Sequence, residues 1–372
     1  MLTCRKQTLS PGTRIRVLVV DDSVSVRSIV TRALSQDPSI EVVGTAANGA
    51  IGLAKIAQLN PHVITLDIEM PEMNGLEMLK KLRLNYPETV VIMISTLTAP
   101  GAAVTLDGLM AGANDYVTKP SNCGSLEGSI DALRADLLPK IKQFFSRDDY
   151  AARAPVSKNP TSSRFARGML CRREVLAIGV STGGPHALST IISKLPVPFL
   201  YPVLIVQHMP PLFTQFLATR LQTLTKLKVE EASHGCSLEP GKILIAPGGF
   251  HMRVIKSAQQ ARIALDQGPL RNSCRPSVDA LFESVNEVYG RAAIAAILTG
   301  MGQDGLQGIE ALHASGAHVI AQDEASSVVW GMPGCVVKAG LADVVVPLES
   351  VVPEILSQFD RGSLLAHCGG VK

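Results

Sequence analysis

Short runs of Val, Ile and Leu recur along this chain with helix-like stretches between them, and that rhythm limits the fold more than any other feature. The first series has runs at Arg16–Val20, Glu41–Ala46, Val63–Leu66, Val90–Ile94 and Asp115–Val117. Between and after them lie helical patterns at Val24–Leu34, Ala50–Gln58, Leu76–Leu84, Ala102–Ala111 and Leu126–Leu138. Near-continuous apolar runs suit strands buried on both faces, and strands alternating with helices predict a parallel sheet covered on both sides. A second series starts at Val175 and continues through Pro202–Val206, Lys242–Ala246, Ala292–Leu298, Ala317–Ala321 and Val344–Val346. Its helices are expected at Ala187–Lys194, Phe213–Leu224, Val278–Val288, Leu306–Ala314 and Val351–Phe359, with a β-hairpin across His251 to Asp266. The fold class is therefore α/β, with two doubly wound parallel-sheet domains. The expected division is an N-terminal extension over 1–13, a first domain over 14–138, a linker over 139–173 rich in Pro, Ser, Thr and Arg, a second domain over 174–361 and a tail over 362–372.

Bulk properties remove several function classes. A net charge of +3, with no basic run interleaved with aromatics, argues against a nucleic-acid partner. The seven cysteines, Cys4, Cys123, Cys171, Cys236, Cys274, Cys335 and Cys368, form no C-x-x-C pair, so neither a zinc site nor a disulfide framework is expected. No apolar stretch approaches the roughly 20 residues of a membrane span, and the N-terminus lacks the apolar core of a signal peptide. The expectation is a cytoplasmic protein without membrane insertion.

In an open α/β sheet, function gathers at the carboxyl ends of the strands. In the first series those ends carry Asp21 and Asp22, Asp67, Ser95 and Lys119. Carboxylates converging on one crevice repel unless a hard divalent cation neutralises them, and oxygen-only ligation favours Mg²⁺ on Asp21, Asp22 and Asp67. A lysine and a hydroxyl complete a phosphate-sized pocket. If Asp67 accepts a phosphoryl group, Lys119 offsets the new charge and Ser95 turns to donate to a phosphate oxygen. The motifs VLVVDDS, LDIEMPEMNG, MIS and DYVTKP, between Arg14 and Leu138, resemble those of response-regulator receivers, which are flavodoxin-like. That resemblance makes Asp67 the phosphoacceptor. It also implies that Tyr116 swings inward when Asp67 is modified, reshaping the face around the last two helices as the output.

The second series opens with Ile178-Gly179-Val180-Ser181-Thr182-Gly183-Gly184, a serine between glycines at a strand-to-helix switch. This is the sequence context of a nucleophile elbow, although a glycine-rich turn capped by Ser181 would look the same. An elbow needs a base and an orienting acid, and two other strand ends supply His208 and Asp304. The roles expected are nucleophile for Ser181, base and then acid for His208, and tautomer-fixing carboxylate for Asp304, with backbone N–H groups near Thr182 and Met301 as an oxyanion hole. His251 and His234 are rival bases. Gly300-x-Gly302-x-x-Gly305 with Asp323 also matches a dinucleotide fingerprint, but Asp304 would place a carboxylate where the pyrophosphate must sit. A phospho-switched regulator without catalysis is a further rival, although such regulators usually carry a short basic output domain.

The motifs IGVSTGGP, QHMPP, RPSVDALF and ILTGMGQDG, then Ala321 to Ser326 and Gly331-Met332-Pro333, resemble the chemotaxis protein-glutamate methylesterase domain, which is Rossmann-like. A receiver, a tether and this domain are that family's arrangement. The resemblance implies hydrolysis of glutamate methyl esters, and deamidation of glutamines, on the cytoplasmic helices of methyl-accepting chemoreceptors. It implies a chemotaxis-type sensor histidine kinase as phosphodonor and no cofactor in the catalytic half. Departures from the family pattern are the N-terminal extension, Gln303 and the Gly249-Phe250 turn. The role of Arg275, between Asn272 and Pro276, stays open between a receptor contact and a solvated loop arginine.

Overall fold

The computed structural model describes residues 7–10, 12–96, 98–119, 125–147, 172–257 and 260–368. Most of the expected linker, the first six residues of the extension and Cys4, Cys123 and Cys171 lie outside them.

The first domain runs β1 (Gln7–Leu9), β2 (Ile15–Val20), α1 (Val24–Ser35), β3 (Ile40–Ala46), α2 (Gly49–Leu59), β4 (Val63–Asp67), α3 (Gly75–Asn85), β5 (Val90–Ser95), α4 (Ala99–Met110), β6 (Asp115–Thr118), α5 (Leu126–Lys142) and β7 (Phe145–Arg147). Strands β3-β2-β4-β5-β6 form one parallel sheet in that order. Val17 to Val20 are fully buried because helices cover both faces, which is why the sequence reads as an unbroken apolar run. Each of the helices α1 to α5 is capped by its own preceding side chain, Ser23, Asn48, Asn74, Thr98 and Ser125 respectively.

The second domain runs β8 (Val175–Val180), α6 (Gly184–Lys194), β9 (Val203–Gln207), α7 (Phe213–Gln222), β10 (Lys228–Glu231), β11 (Lys242–Ile245), β12 (His251–Ile255), β13 (Arg262–Asp266), α8 (Val278–Tyr289), β14 (Ala293–Ile297), α9 (Leu306–Ala314), β15 (His318–Gln322), α10 (Met332–Lys338), β16 (Val344–Val346) and α11 (Leu348–Cys368). Its parallel sheet has the order β10-β11-β9-β8-β14-β15-β16. The chain builds outward on one side of β8 and then returns to β14 on the other, so the switch point falls beside β8. The hairpin β12–β13 is antiparallel, as its polar turn suggests.

Five features differ from the sequence reading. Part of the expected extension is strand β1, which pairs with β7 after the first domain, and Leu9 is buried with Phe144 and Phe145. Helix α5 runs on to Lys142, and α11 runs on to Cys368, past the expected start of the tail. Strand β10 is a charged edge strand, Lys-Val-Glu-Glu, and α10 is a short helix with Pro333 and Gly334 near its start; neither has the apolar period that marks the others.

The two domains pack together. A continuous buried apolar cluster contains Ala102, Leu109 and Tyr116 of the first with Ala187 and Phe213 of the second. The Tyr116 and Phe213 rings stack at 4.8 Å and 13°, and Asp107 on α4 pairs with Arg220 on α7.

Candidate functional site

The strand ends of the first domain meet as a charged crevice. Carboxylate oxygens of Asp21, Asp22 and Asp67 all lie within 4.8 Å of one another. Lys119 Nζ reaches Asp67 Oδ2 at 2.8 Å and Asp21 Oδ2 at 3.2 Å. Burial pushes the Asp67 carboxyl up to about 6, with Lys119 pulling against it and the Asp21 charge adding to it. Burial works against the Lys119 ammonium too, but the bond to Asp67 and the charges of Asp67 and Asp21 outweigh it and hold that pKa above its usual value. Three carboxylates against one ammonium leave surplus negative charge, and the buried Asp21 Oδ2 shares that ammonium, 3.2 Å away, with Asp67. That oxygen, in an all-oxygen set, fits a hard divalent cation.

Ser95 and Tyr116 are both turned away from this crevice. Ser95 Oγ is held by Thr105 Oγ1 at 2.5 Å and donates to backbone carbonyls of Thr96 and Gly101. Tyr116 is buried against Phe213 in the domain interface, with Lys140 Nζ 5.2 Å from its ring centre.

The second crevice lies under that interface. Ser181 follows β8, His208 follows β9, and Asp304 ends the loop after β14, so the central strand and its two neighbours deliver the three side chains to one edge. The elbow is closed by Ser181 N–H donating to Thr299 O at 3.0 Å and Gly184 N–H donating to Ser181 O at 2.8 Å. Gly183, at φ +79°, starts α6 in the left-handed region, and a Cβ there would sit 2.7 Å from Val328. A Cβ on Gly300 would sit 2.7 Å from Ser181 Cβ, so only glycine lets the β14 loop approach the serine this closely.

Asp304 is saturated with donors. It accepts from His208 Nε2 at 2.8 Å, Val278 N at 2.6 Å, Ser277 Oγ at 2.8 Å, Asn272 Nδ2 at 3.0 Å and Asp279 N at 3.3 Å. Two of these are free N–H groups at the start of α8, where the helix dipole also favours an anion. Burial opposes the charge, but His208, Val278 and Ser277 outweigh it and hold the carboxyl well below the usual carboxylate range. On His208, burial disfavours the imidazolium, yet the bond to Asp304, with Cys274 and the Asp304 charge adding to it, raises the pKa to about 9. With Nε2 on Asp304, Nδ1 is the nitrogen left for proton transfer, and it faces Cys274 Sγ at 3.7 Å. Among the described residues no hydrogen bond joins Ser181 Oγ to the imidazole. Such contacts are often loose without substrate.

A cavity of about 500 Å³ is lined by Ser181, His208, Cys274 and Met301 from one domain and by Tyr116 and Lys140 from the other. The backbone N–H groups of Thr182 and Met301 have no protein acceptor among the described residues. The Thr182 side chain is not free: its Oγ1 donates to Asp115 Oδ2 at 2.7 Å, a buried hydrogen bond between the domains beside the elbow.

The rivals are placed elsewhere. His251 is buried in the hairpin, with Nε2 at 2.9 Å from Pro269 O. His234 Nδ1 accepts from Leu265 N. Asp323 caps the turn to Ser326, and the carboxylate inside the glycine fingerprint is the one bound to His208. Arg275 is half-buried, and its Nη1 donates to Gln267 O and Gly268 O. Asp115, Asn272, Cys274 and Ser277 enter the site without a sequence signal of their own. Three of the four lie within Asn272–Ser277, a stretch singled out only for Arg275 and as part of a motif.

Comparison with known proteins gives two family matches: the response regulator receiver domain over residues 17–131 and the CheB methylesterase over residues 176–355. A protein-glutamate methylesterase/protein-glutamine glutaminase of Trichodesmium erythraeum is 47% identical over 346 residues, covering 92% of this chain and 98% of that one. A protein of the same description from a Nocardioides species is 49% identical over 356 residues, covering 94% and 96%. The crystal structure of the Thermotoga maritima CheB methylesterase catalytic domain is 40% identical, covering 50% of this chain and 98% of that chain, with a TM-score of 0.49.

Proposed function

The chain belongs to the CheB methylesterase family, and on that premise we propose that it is a phosphorylation-gated hydrolase of glutamate methyl esters, and of glutamine amides, on the cytoplasmic helices of chemoreceptors. The observation that carries the reading is the meeting of Ser181, His208 and Asp304 on three adjacent strand ends beneath the receiver.

Ser181 Oγ attacks the ester carbonyl carbon while His208 takes its proton at the nitrogen not bound to Asp304. The oxyanion is met by the N–H groups of Thr182 and Met301. Collapse breaks the bond to the methoxy oxygen, His208 returns the proton, and methanol leaves a glutamyl-serine ester. Water attacks that ester by the same relay, giving glutamate and free Ser181. With a glutamine side chain the leaving group is ammonia. No cofactor is called for in this half.

Asp67 is the phosphoacceptor, with a chemotaxis-type histidine kinase as donor. Asp21, Asp22 and Asp67 would hold Mg²⁺, which when bound offsets the phosphate's negative charge. Lys119 pairs with the phosphoryl group, and Ser95 must leave Thr105 to donate to it. Tyr116 would follow Ser95 inward, leaving Phe213 and weakening the contact that holds Asp115 on Thr182. The receiver unit extends through α5 and β7 to Arg147, beyond the expected boundary at 138, and the hydrolase runs from β8 through α11.

The test is methanol release from methylated receptor membranes with and without acetyl phosphate. The wild type is activated, Ser181→Ala releases none while still taking up phosphate, and Asp67→Asn keeps only basal turnover. Full activity in Ser181→Ala would remove the nucleophile.

A further inference from the structure

We propose that Asn272 is a positioning residue for the hydrolase, its side-chain amide spanning the carboxylates of Asp304 and Asp279 and so fixing the carboxylate that holds His208. The inference rests on the reading of Ser181, His208 and Asp304 as the reacting set.

Asn272 Nδ2 lies 3.0 Å from Asp304 Oδ1 and 2.9 Å from Asp279 Oδ2. A primary amide has two N–H bonds, and each carboxylate takes one. Asp279 is 1% exposed, and its other oxygen accepts from Gly308 N at 2.9 Å. Two buried carboxylates in one network repel. Burial raises the Asp279 carboxyl to about 6, Gly308 N–H pulling against it and the Asp304 charge adding, while Asp304 stays ionised. A cation between them would cancel the charge that Asp304 exerts on His208, and an acceptor would be repelled by both. A neutral double donor satisfies both acids and leaves that charge in place. Among the described residues, Asn272 is also the one donor to Asp304 that comes neither from His208 nor from the start of α8.

Turn chemistry gives Asn272 a second reason to be there. Asn272 and Ser273 have φ of 48° and 63°, and Arg271 and Cys274 exchange backbone hydrogen bonds across them. Consecutive left-handed residues in such a turn favour Asn, Asp or Gly. Turn propensity accounts for the backbone but not for an amide whose two hydrogens both meet buried carboxylates.

The two reasons separate by substitution in the full chain, activated with acetyl phosphate and assayed on methylated receptor membranes. Asn272→Gly keeps the turn and removes the donor. It is expected to lower kcat roughly ten- to hundredfold with KM little changed, the loss of one hydrogen bond to a buried charge. Asn272→Asp also keeps the turn but sets a negative charge there. The imidazolium is then further stabilised, and the acid limb of the kcat/KM profile moves to higher pH. Wild-type kcat in Asn272→Gly, or an unmoved acid limb in Asn272→Asp, overturns the proposal. The His208 titration by NMR of ¹⁵N-histidine-labelled protein reads it without turnover: the midpoint rises in Asn272→Asp, and an unmoved midpoint overturns it. A wild type that releases no methanol fails the hydrolase reading instead.

Discussion

The receiver and the hydrolase place acids at the ends of parallel strands, yet treat them in opposite ways. Asp67 sits in a crevice short of positive charge, sharing the Lys119 ammonium with Asp21, and its carboxyl is pushed up. Asp304 has five donors and its carboxyl is held down. Helix starts show the same contrast. Helices α1 to α5 of the receiver are each capped by a side chain, whereas α6 to α10 of the hydrolase have no side-chain cap. The free N–H groups of α8 go to Asp304 instead. In the function proposed above, the carboxylate that accepts a new group has two donors, Ile68 N and Lys119 Nζ, and the one that holds another side chain still has five.

Asp304→Asn is the strongest way to break this contrast. It keeps the shape, loses the charge, and frees His208 to take the wrong tautomer, so esterase kcat should fall on the order of ten-thousand-fold by analogy with serine proteases. Methanol release at saturating substrate measures it, and a fall of less than tenfold would mean that the saturated acid does little. A smaller effect of opposite sign is expected at the boundary between the two regions. Asp115→Ala removes the buried acceptor of Thr182 Oγ1, but the Tyr116–Phe213 stack and the Asp107–Arg220 pair remain. Unphosphorylated activity should rise several-fold, up to about tenfold for one charged hydrogen bond, with phosphorylated activity unchanged. Basal activity equal to wild type would place the restraint on the other two contacts.

The smallest effect is in pH. The folded His208 pKa of about 9 lies above the ordinary 6.5, so the imidazolium–Asp304 pair contributes stability that is fully present below about pH 6.5 and is lost as pH rises through about 9. The unfolding temperature of the wild type should exceed that of His208→Gln by a few degrees at pH 6, the gap closing by pH 9 to 10. Basal esterase activity should climb over the same window, because only the neutral imidazole can take the Ser181 proton. A flat gap and a flat rate would show that His208 is already neutral in the docked state.

Much of the site is legible in the chain because a parallel sheet sends every carboxyl end to one edge: a residue one or two places past an apolar run is in the crevice whatever its neighbours do. That holds for Asp21, Asp67, Lys119, Ser181 and His208. It fails where a side chain arrives from a loop. Asn272 and Ser277 follow the hairpin, and nothing in their spacing says that they face Asp304. It fails again at edges, where β10 is half exposed and reads as polar, and at β1, a three-residue strand with nothing to pair with until β7 returns.

By itself the sequence determined two α/β units and which residues occupy their strand ends, since hydrophobic period and strand direction are local properties. Only the tertiary structure decided what those residues face. Asp115 reads as an ordinary first residue of a strand, and Thr182 as a turn residue after the serine. Their bond at 2.7 Å exists because two separately folded sheets meet there, and a contact between surfaces is written in neither surface alone.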